Sequence, residues 1–287
     1  MNNYLEVRNL SKVFEGFWLH DITFTLPKGY MMGLIGPNGS GKTTTIKLIL
    51  NMLKRTDGEV KILGFDNITN EQEAKRNLGV VFDSNYFSEE WKIPQVEKSV
   101  SAFYENWNTQ KFAETLRKFH IPLSKKVKEL SKGMQMKLML ACAFSYDAKL
   151  LILDEPTSGL DPVSRDELLN ILSEYIEDGE HSVLFSTHIT GDLERAADYI
   201  TYIRYGGLFF SGSKDELIDC FKIVKGGREE LSAGLSKKML GIRNFSTGFE
   251  ALVKTEDLKQ FAHLHVEPAT IDDIVVFTSK RGEQIEK

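Results

Sequence analysis

The stretch GPNGSGKTT at residues 36–44 constrains the fold of this chain more than any other feature of its sequence. It fits the pattern G-x-x-x-x-G-K-[ST] and stands between an apolar run at residues 31–35 and a helix-like run at residues 46–53. A loop so rich in glycine adds little to a core, but it can aim several backbone N–H groups at one polyphosphate. A helix that begins at the end of the loop adds the positive end of its dipole. The pattern therefore predicts a strand, a loop and a helix that together hold a nucleotide.

Individual residues of this loop have distinct expected roles. Lys42 places a positive charge near the outer phosphates and is assigned to the catalytic residues, and the Thr43 hydroxyl is placed to bind Mg²⁺. The residues expected to contact the nucleotide are Gly36, Pro37, Asn38, Gly39, Ser40, Gly41, Lys42, Thr43 and Thr44.

A second chemical signal is the acidic pair Asp154-Glu155, which ends an apolar run at residues 150–153. Ligands of open α/β sheets bind at the carboxyl ends of the strands, and neighbouring residues on a strand point in opposite directions. We therefore assign Asp154 to Mg²⁺, through water, and Glu155 to the attacking water as a general base. The alternative is a strand that simply ends in a solvated polar turn. Because no pocket for an organic acceptor is evident, the pair predicts hydrolysis of ATP or GTP.

The glycine-loop motif and the hydrophobic patterning together predict an α/β fold that resembles the P-loop NTPases. We expect a mixed sheet with an N-terminal antiparallel β subdomain, a helical insert and a small C-terminal α/β appendage. Alternating apolar and polar residues at 4–10 and 22–26 predict two antiparallel strands with one wet face. Continuous apolar runs at 31–35, 150–153 and 183–185 predict strands that are buried on both faces.

The chain is expected to divide into a main domain at residues 1–222 and an appendage at residues 223–287. Residues 84–146 of the main domain form the helical insert in this interpretation, because they are rich in helix formers at roughly helical spacing. Residues 214–221 predict a further helix before the appendage. The appendage itself carries no recognisable chemistry.

Composition narrows the class of function. The chain has 287 residues, of which 41% are hydrophobic and 27% charged, an ordinary balance for a globular protein. Its net charge of −5 argues against a dedicated nucleic-acid binder, which would show a basic face. Cys142 and Cys220 lack a CxxC spacing, so buried thiols are favoured over a disulfide framework. No apolar run approaches the roughly 18 residues of a membrane span, and we expect a protein that stays inside the cell.

Further motifs resemble those of the ATP-binding-cassette (ABC) ATPases. Residues 130–134, LSKGM, are similar to the family's signature motif in a form close to LSGGQ, and Ser131 precedes Asp154 by 23 residues, the family's spacing. The resemblance covers residues 4 to about 222. The other matching positions are Asp161 in SGLD, similar to the family's D-loop, His188, similar to its switch histidine, and Phe14, similar to the aromatic that stacks on adenine.

The resemblance implies an ATPase that uses ATP and Mg²⁺ and works as a pair of chains. Ser131 and Gly133 at a helix N-terminus would form a second anion site, which in this family closes over the γ-phosphate held by the opposite chain. His188 would contact the γ-phosphate and hold the catalytic geometry. Simpler alternatives are an ordinary helix cap for Ser131, a core histidine for His188 and plain packing for Phe14. The second ATPase subunit is either another copy of this chain or a paralogue.

One position departs from the family pattern. The glutamine that follows the strand at residues 78–82 in the family is Asp83 here. The family residue contacts Mg²⁺ and the attacking water, and aspartate is a good ligand for a hard cation. We expect Asp83 to reach the metal through water, while Ser84 or Asn85 is the alternative sensor in this loop.

The implied partner is a separate membrane-spanning permease, with this chain peripheral at the cytoplasmic face of the cell membrane. The helical insert is where the family binds its membrane partner, and Tyr86, Phe87 and Trp91 supply aromatic side chains there. They either contact the permease or fold back on the insert's own core. Residues 268–274, PATIDDI, resemble the P-x-x-E-D-I-F ending of exporter ATPases, so we expect export, with peptide or lipid-like cargo as a guess.

Two other functional classes are weighed against transport. A cytosolic ABC ATPase that acts on nucleic acid or ribosomes is disfavoured by the single uninterrupted cassette and the acidic balance, so no nucleic-acid partner is expected. A nonhydrolytic regulatory cassette would need a damaged base or switch, whereas Glu155 and His188 are both present.

Overall fold

The computed structural model describes residues 2–279 and contains two β-sheets with helices packed around them. The strands of the larger sheet are β1 (Asn3–Phe14), β2 (Phe17–Pro27), β3 (Met31–Ile35), β4 (Asp57–Ile62), β5 (Phe65–Asp66), β6 (Leu78–Val81), β7 (Leu150–Leu153), β8 (Ser182–Thr187), β9 (Tyr199–Arg204) and β10 (Gly207–Ser213). Their order across the sheet is β5-β4-β1-β2-β10-β9-β3-β8-β7-β6. The helices are α1 (Lys42–Ile49), α2 (Glu71–Arg76), α3 (Ile93–Ser101), α4 (Thr109–Lys118), α5 (Lys132–Ser145), α6 (Pro162–Ile176), α7 (Thr190–Ala196), α8 (Lys214–Asp219), α9 (Ala233–Ser236) and α10 (Ile271–Ser279).

The sheet is mixed, as the sequence predicts. β1 pairs antiparallel with β2 and β4, while β3, β8, β7 and β6 pair in parallel. Every residue of β3, β7 and β8 is buried, which explains their continuous apolar sequences. In register, Ile35 pairs with Thr187 and Val81 pairs with Leu153. The carboxyl ends of these strands therefore meet along one edge of the sheet.

The helical insert lies between β6 and β7 and contains α3, α4, α5 and a 3₁₀ turn at Val127–Glu129. Tyr104, in the segment between α3 and α4, stacks on Tyr146 with ring centroids 3.6 Å apart. The Tyr146 hydroxyl donates to the carbonyl oxygen of Leu78, at the start of β6. This stack joins the insert to the edge of the sheet. Throughout residues 2–279, the helices fall short of the length and apolar character that a membrane-spanning segment requires.

A smaller antiparallel sheet follows the cassette. Its strands are β11 (Phe221–Gly226), β12 (Gly241–Asn244), β13 (Phe249–Lys254) and β14 (His265–Pro268), in the order β12-β13-β11-β14. Short 3₁₀ helices lie at Arg228–Glu230 and Thr255–Phe261. The final helix α10 returns to the cassette, where the hydroxyls of Tyr202 and Thr278 lie 2.9 Å apart. The expected boundary at residues 222 and 223 falls inside β11, and residues 280–287 of the expected appendage lie outside the described residues.

A charged cluster lies at the amino ends of β7 and β8, opposite the edge where the strand carboxyl ends meet. Lys149 Nζ lies 2.6 Å from Asp147 Oδ2, and His181 Nε2 lies 3.2 Å from Asp147 Oδ1. Partial burial raises the pKa of Asp147, but the hydrogen bonds from Lys149 and His181 and the charges of Lys149 and Lys111 outweigh burial and lower the pKa to about 2.

Asp147→Asn is therefore expected to destabilise the protein in a pH-dependent way. Because the folded-state pKa lies below the ordinary value of 3.8, the carboxylate contributes stability above that value and loses it as the pH falls toward the folded pKa. Because the Asp147 side chain is about half exposed, solvent screening limits the effect at pH 7 to about 1 kcal/mol. Urea unfolding at pH 7, 4 and 3 should show that the difference in unfolding free energy between the variant and wild type shrinks as the pH falls. An equal difference at every pH would contradict this account, and Glu15→Gln in the exposed turn before β2 is the neutral control.

Candidate nucleotide site

A cavity of about 470 Å³ opens at the edge of the sheet where the parallel strands end. It draws side chains from the phosphate loop, from the segment after β6, from the turn after β7 and from the residue after β8. Its lining consists of Phe17, Asn38, Gly39, Gly41, Lys42, Thr43, Thr44, Asp83, Glu155, Ser158 and His188. The structure thus brings the glycine loop, Asp83, Glu155 and His188 to one cavity, and their chemical roles stay predictions.

Glycines of the loop occupy positions that other residues would strain. Gly39 and Gly41 have φ angles of 76° and 113°, in the left-handed region that favours glycine. A Cβ at Gly36 would lie 2.2 Å from the carbonyl oxygen of Ile203 and 2.4 Å from Ser40 Oγ, so only glycine fits. Gly41 is also the N-cap of α1. Since glycine has no side chain to cap the helix, the N–H groups of its first turn are left to an anion.

Lys42 is buried at the start of α1. Its ammonium donates to the carbonyl oxygen of Gly36 at 2.8 Å and lies 3.5 Å from Glu155 Oε1. The cation is therefore held inside the loop by a carbonyl and a carboxylate. A phosphate is a stronger acceptor for an ammonium than a neutral carbonyl, so this lysine is placed to transfer its hydrogen bonds to a bound nucleotide.

Asp154 lies beside the loop at the end of β7 and is 7% exposed. Thr43 Oγ1 donates to Asp154 Oδ1 at 3.2 Å, and Ser186 Oγ donates to the same oxygen at 2.6 Å. Hydroxyl and carboxylate oxygens are ligands that Mg²⁺ prefers, and this ion usually takes only one or two carboxylates together with phosphates and water. Among residues 2–279 no group of three His, Cys, Asp or Glu side chains could hold a metal by itself. The donor set at Thr43 and Asp154 fits a Mg²⁺ ion that arrives with a nucleotide.

Glu155 adopts a backbone conformation that costs energy. Its φ is 51°, and left-handed geometry at a residue other than glycine costs on the order of 1–3 kcal/mol. The Glu155 N–H donates to Ser186 Oγ at 2.9 Å, which holds the turn in place. His188 Nδ1 lies 2.7 Å from Glu155 Oε2. The turn therefore directs the carboxylate into the cavity and against the histidine.

Ser131, Gly133 and Asp161 lie together outside the cavity lining. Ser131 caps α5 by accepting from the Met134 N–H, and Asp161 caps α6 by accepting from the N–H groups of Val163 and Ser164. A Cβ at Gly133 would lie 3.4 Å from Ser164. The Ser164 hydroxyl, with its backbone N–H, lowers the pKa of Asp161. The structure thus gathers these three residues at the adjoining starts of two helices, apart from the loop of their own chain.

The aromatic side chain in the cavity is Phe17 and not Phe14. Phe14 is 37% exposed and lies outside the lining, with its ring centroid 6.3 Å from that of Phe17. Stacking of Phe14 on adenine stays a prediction. The sequence analysis did not include Phe17 and Ser158 among the site residues. The available signal for Phe17 is its position directly after the Glu15-Gly16 turn, and that for Ser158 is its place at the start of the SGLD motif.

Comparison with known proteins gives consistent relatives. The family model described as "ABC transporter" matches residues 19–158. The chain is 31% identical to the ABC transporter ATP-binding protein YtrB of Bacillus subtilis (strain 168), over 74% of this chain and 73% of that protein. It is 32% identical to the Nod factor export ATP-binding protein I of Sinorhizobium fredii, over 75% of this chain and 64% of that protein. A solved structure of an ATP-binding subunit of an ABC transporter aligns with a TM-score of 0.67 and 30% identity, over 75% of this chain and 91% of the other.

Proposed function

This chain belongs to the ABC transporter family as an ATP-hydrolysing subunit, and from that premise we propose that two such subunits close over two Mg-ATP and drive a separate permease. The observation that carries the proposal is how the expected site residues divide. Lys42, Glu155 and His188 line one cavity, whereas Ser131 and Asp161 cap two helices outside its lining on the same chain. A complete site then requires the second group from a neighbouring subunit.

Within one cavity the residues have separable roles. The loop N–H groups and Lys42 bind the phosphates, and Thr43 and Asp154 would hold Mg²⁺, with Asp83 reaching it through water. When bound, the ion neutralises phosphate charge. Glu155 accepts the proton of the attacking water, and His188 holds that carboxylate through their 2.7 Å contact. Phe14 and Phe17 together offer an aromatic surface on which the adenine ring of ATP stacks.

The neighbouring subunit closes the site from the other side. The N-terminus of α5, with Ser131 and Gly133, presents N–H groups and a positive dipole end to the γ-phosphate. Asp161 lies beside them at the start of α6 and faces the junction between the subunits. The pair is either two copies of this chain or this chain and a paralogue, related head to tail.

We place the permease contact on a groove of about 770 Å³ between α2 and the segment after α3. Phe103 stands at this groove with 85% of its surface exposed, which is unusual for a large apolar side chain. Of the three aromatic residues singled out after Asp83, Tyr86 is exposed, while Phe87 is buried and Trp91 packs against the core. Export is proposed because residues 268–274 resemble the ending of exporter ATPases and because one relative is a Nod factor export ATP-binding protein.

Phe103→Asp is expected to reduce recovery of the permease at least about tenfold, because a central aromatic anchor carries much of an interface's energy. Tagged protein would be captured from detergent-solubilised membranes of its own source, and the bound chains identified by mass spectrometry. Phe245→Asp, at another exposed phenylalanine in the turn between β12 and β13, is the matched control. Recovery of ribosomal RNA or DNA in place of a multi-span protein would contradict transport. Equal recovery with both variants would contradict only the groove.

A further inference from the structure

Asp192, on α7, is a fully buried carboxylate for which no role has yet been given, with 0% of its surface exposed. Its Oδ2 accepts hydrogen bonds from the hydroxyls of Thr157, at 2.7 Å, and Thr187, at 3.2 Å. Its Oδ1 accepts from Arg165 Nε at 2.5 Å. Burial of a carboxylate is costly unless it is paired and hydrogen-bonded, and both oxygens of Asp192 are provided for.

The three donors come from the three segments that carry the nucleotide chemistry. Thr157 lies two residues after Glu155, and Thr187 directly precedes His188. Arg165 lies on α6, whose N-cap is Asp161. Asp192 itself lies outside the cavity lining. One buried side chain therefore joins the turn of the acid pair, the strand end before the histidine and the helix that begins at Asp161.

Such a junction has a consequence for the Glu155–His188 pair. The two residues follow different strands, and the 2.7 Å contact of their side chains depends on the position of the turn after β7 relative to the end of β8. Glu155 is also held in left-handed geometry, which persists only where the surroundings fix it. Thr157 and Thr187 bind the same oxygen of Asp192, so that oxygen sets the spacing of the two segments.

Resting on the proposed function, we propose that Asp192 is a positioning residue that keeps Glu155 and His188 in their working arrangement. Through Arg165 it also ties that arrangement to α6, the helix that Asp161 caps. Asp192 acts through Glu155 and His188 and makes no contact with the nucleotide itself. A purely structural role would instead make Asp192 one more buried ion pair, with effects on stability but no special relation to Glu155.

Thr157→Val is the sharpest variant for this proposal. It removes one hydroxyl donor to Asp192, keeps the volume and leaves the Arg165 ion pair intact. We expect kcat for ATP to fall roughly 10-fold to 100-fold because small displacements of a catalytic group have large kinetic effects. KM should stay close to wild type, and the melting temperature should fall by only a few degrees, because one buried hydrogen bond is lost. Thr201→Val, at another fully buried threonine, whose hydroxyl meets Ser211 and Met32, is the matched control and should leave kcat unchanged.

Combination with Glu155→Gln separates positioning from structure. If Asp192 acts through Glu155, Thr157→Val causes no further loss of the residual turnover in the Glu155→Gln background, because residues that act as a unit are not additive. Additive losses, or normal kcat in Thr157→Val alone, would overturn the proposal. Glu155→Gln by itself tests the proposed function, because near-normal turnover in this variant would show that Glu155 is not the general base. If Glu155→Gln abolishes turnover but the losses in the double variant are additive, only the role of Asp192 is contradicted. Asp192→Asn is a larger lesion at the same junction and should lower kcat further than Thr157→Val does, and thermal melting checks that this variant is folded.

Discussion

Glu155→Gln is expected to lower ATP turnover by about 10²- to 10⁴-fold, the usual effect of losing a general base. Glutamine keeps the shape of the side chain, and its amide can still hydrogen-bond His188 across the 2.7 Å contact. What it loses is the ability to accept a proton from water. The strained turn at Glu155 and the N–H bond to Ser186 stay in place, since neither depends on the carboxylate.

Nucleotide binding should survive this substitution. The phosphate contacts come from the loop and Lys42, and removal of the carboxylate 3.5 Å from the ammonium leaves the cation freer to bind phosphate. Turnover is measured by phosphate release and binding by titration with ATP, and size-exclusion chromatography should show ATP-loaded dimers accumulating. Glu177→Gln at the exposed end of α6 is the control and should leave all three readouts unchanged. A Glu155→Gln protein that turns over ATP at close to the wild-type rate would remove Glu155 from its role.

The central part of this site could be predicted because sheet geometry constrains it strongly. A glycine loop after one buried strand and an acidic pair after another must meet if both strands are parallel and in register. Strand β8 lies between the two, and the pairing of Ile35 with Thr187 and of Leu153 with Phe185 meets that condition. The same geometry brings His188 to the edge. Chemistry at the ends of buried strands is therefore readable from the sequence alone.

Phe17 could not be separated from Phe14 on sequence grounds. The two residues are cross-strand partners on either side of the Glu15-Gly16 turn, so they share a face of the hairpin. Which ring turns toward the cavity depends on the twist of the ribbon and on neighbours such as Lys12, whose ammonium lies 5.4 Å from the Phe14 ring. The alternation of side chains along a strand predicts the face on which a residue lies, but it does not predict which ring on that face enters the cavity.

Asp192 and the start of the smaller sheet were hidden for a different reason. An aspartate in a short polar helix is normally solvated, but the packing of α7 against α6, α10 and β3 buries this one. The helix expected at residues 214–221 ends at Asp219, and Phe221 begins a strand that pairs with Lys254. Phe221 stacks against Phe209 with ring centroids 6.0 Å apart. At Asp192 and at Phe221, tertiary contacts decide the structure against the local sequence pattern. These contacts come from segments such as α6 and β13, which are distant in the sequence.

A site shared between two chains makes a strong prediction for mixed pairs. Ser131→Asp preserves the helix cap, because aspartate caps as well as serine, but it places a negative charge where the γ-phosphate of the partner's nucleotide is expected. A pair made only of Ser131→Asp chains should be inactive, as should a pair made only of Glu155→Gln chains. A mixed pair, with one chain of each kind, has both lesions in one site and none in the other. Its turnover should recover to about half that of wild type, since the two sites of a head-to-tail pair are equivalent.

The reciprocal pair gives the matched control. A chain carrying both Ser131→Asp and Glu155→Gln, paired with a wild-type chain, places one lesion in each site and should be inactive. If each chain completed its own site, the two outcomes would exchange: the first mixed pair would be dead and the second about half active. Differently tagged chains, purified through both tags, supply the two pairs, and phosphate release measures them. Ser131 and Asp161 lie together at the starts of α5 and α6, away from the cavity that holds Glu155, so recovery in the first pair is the expected result.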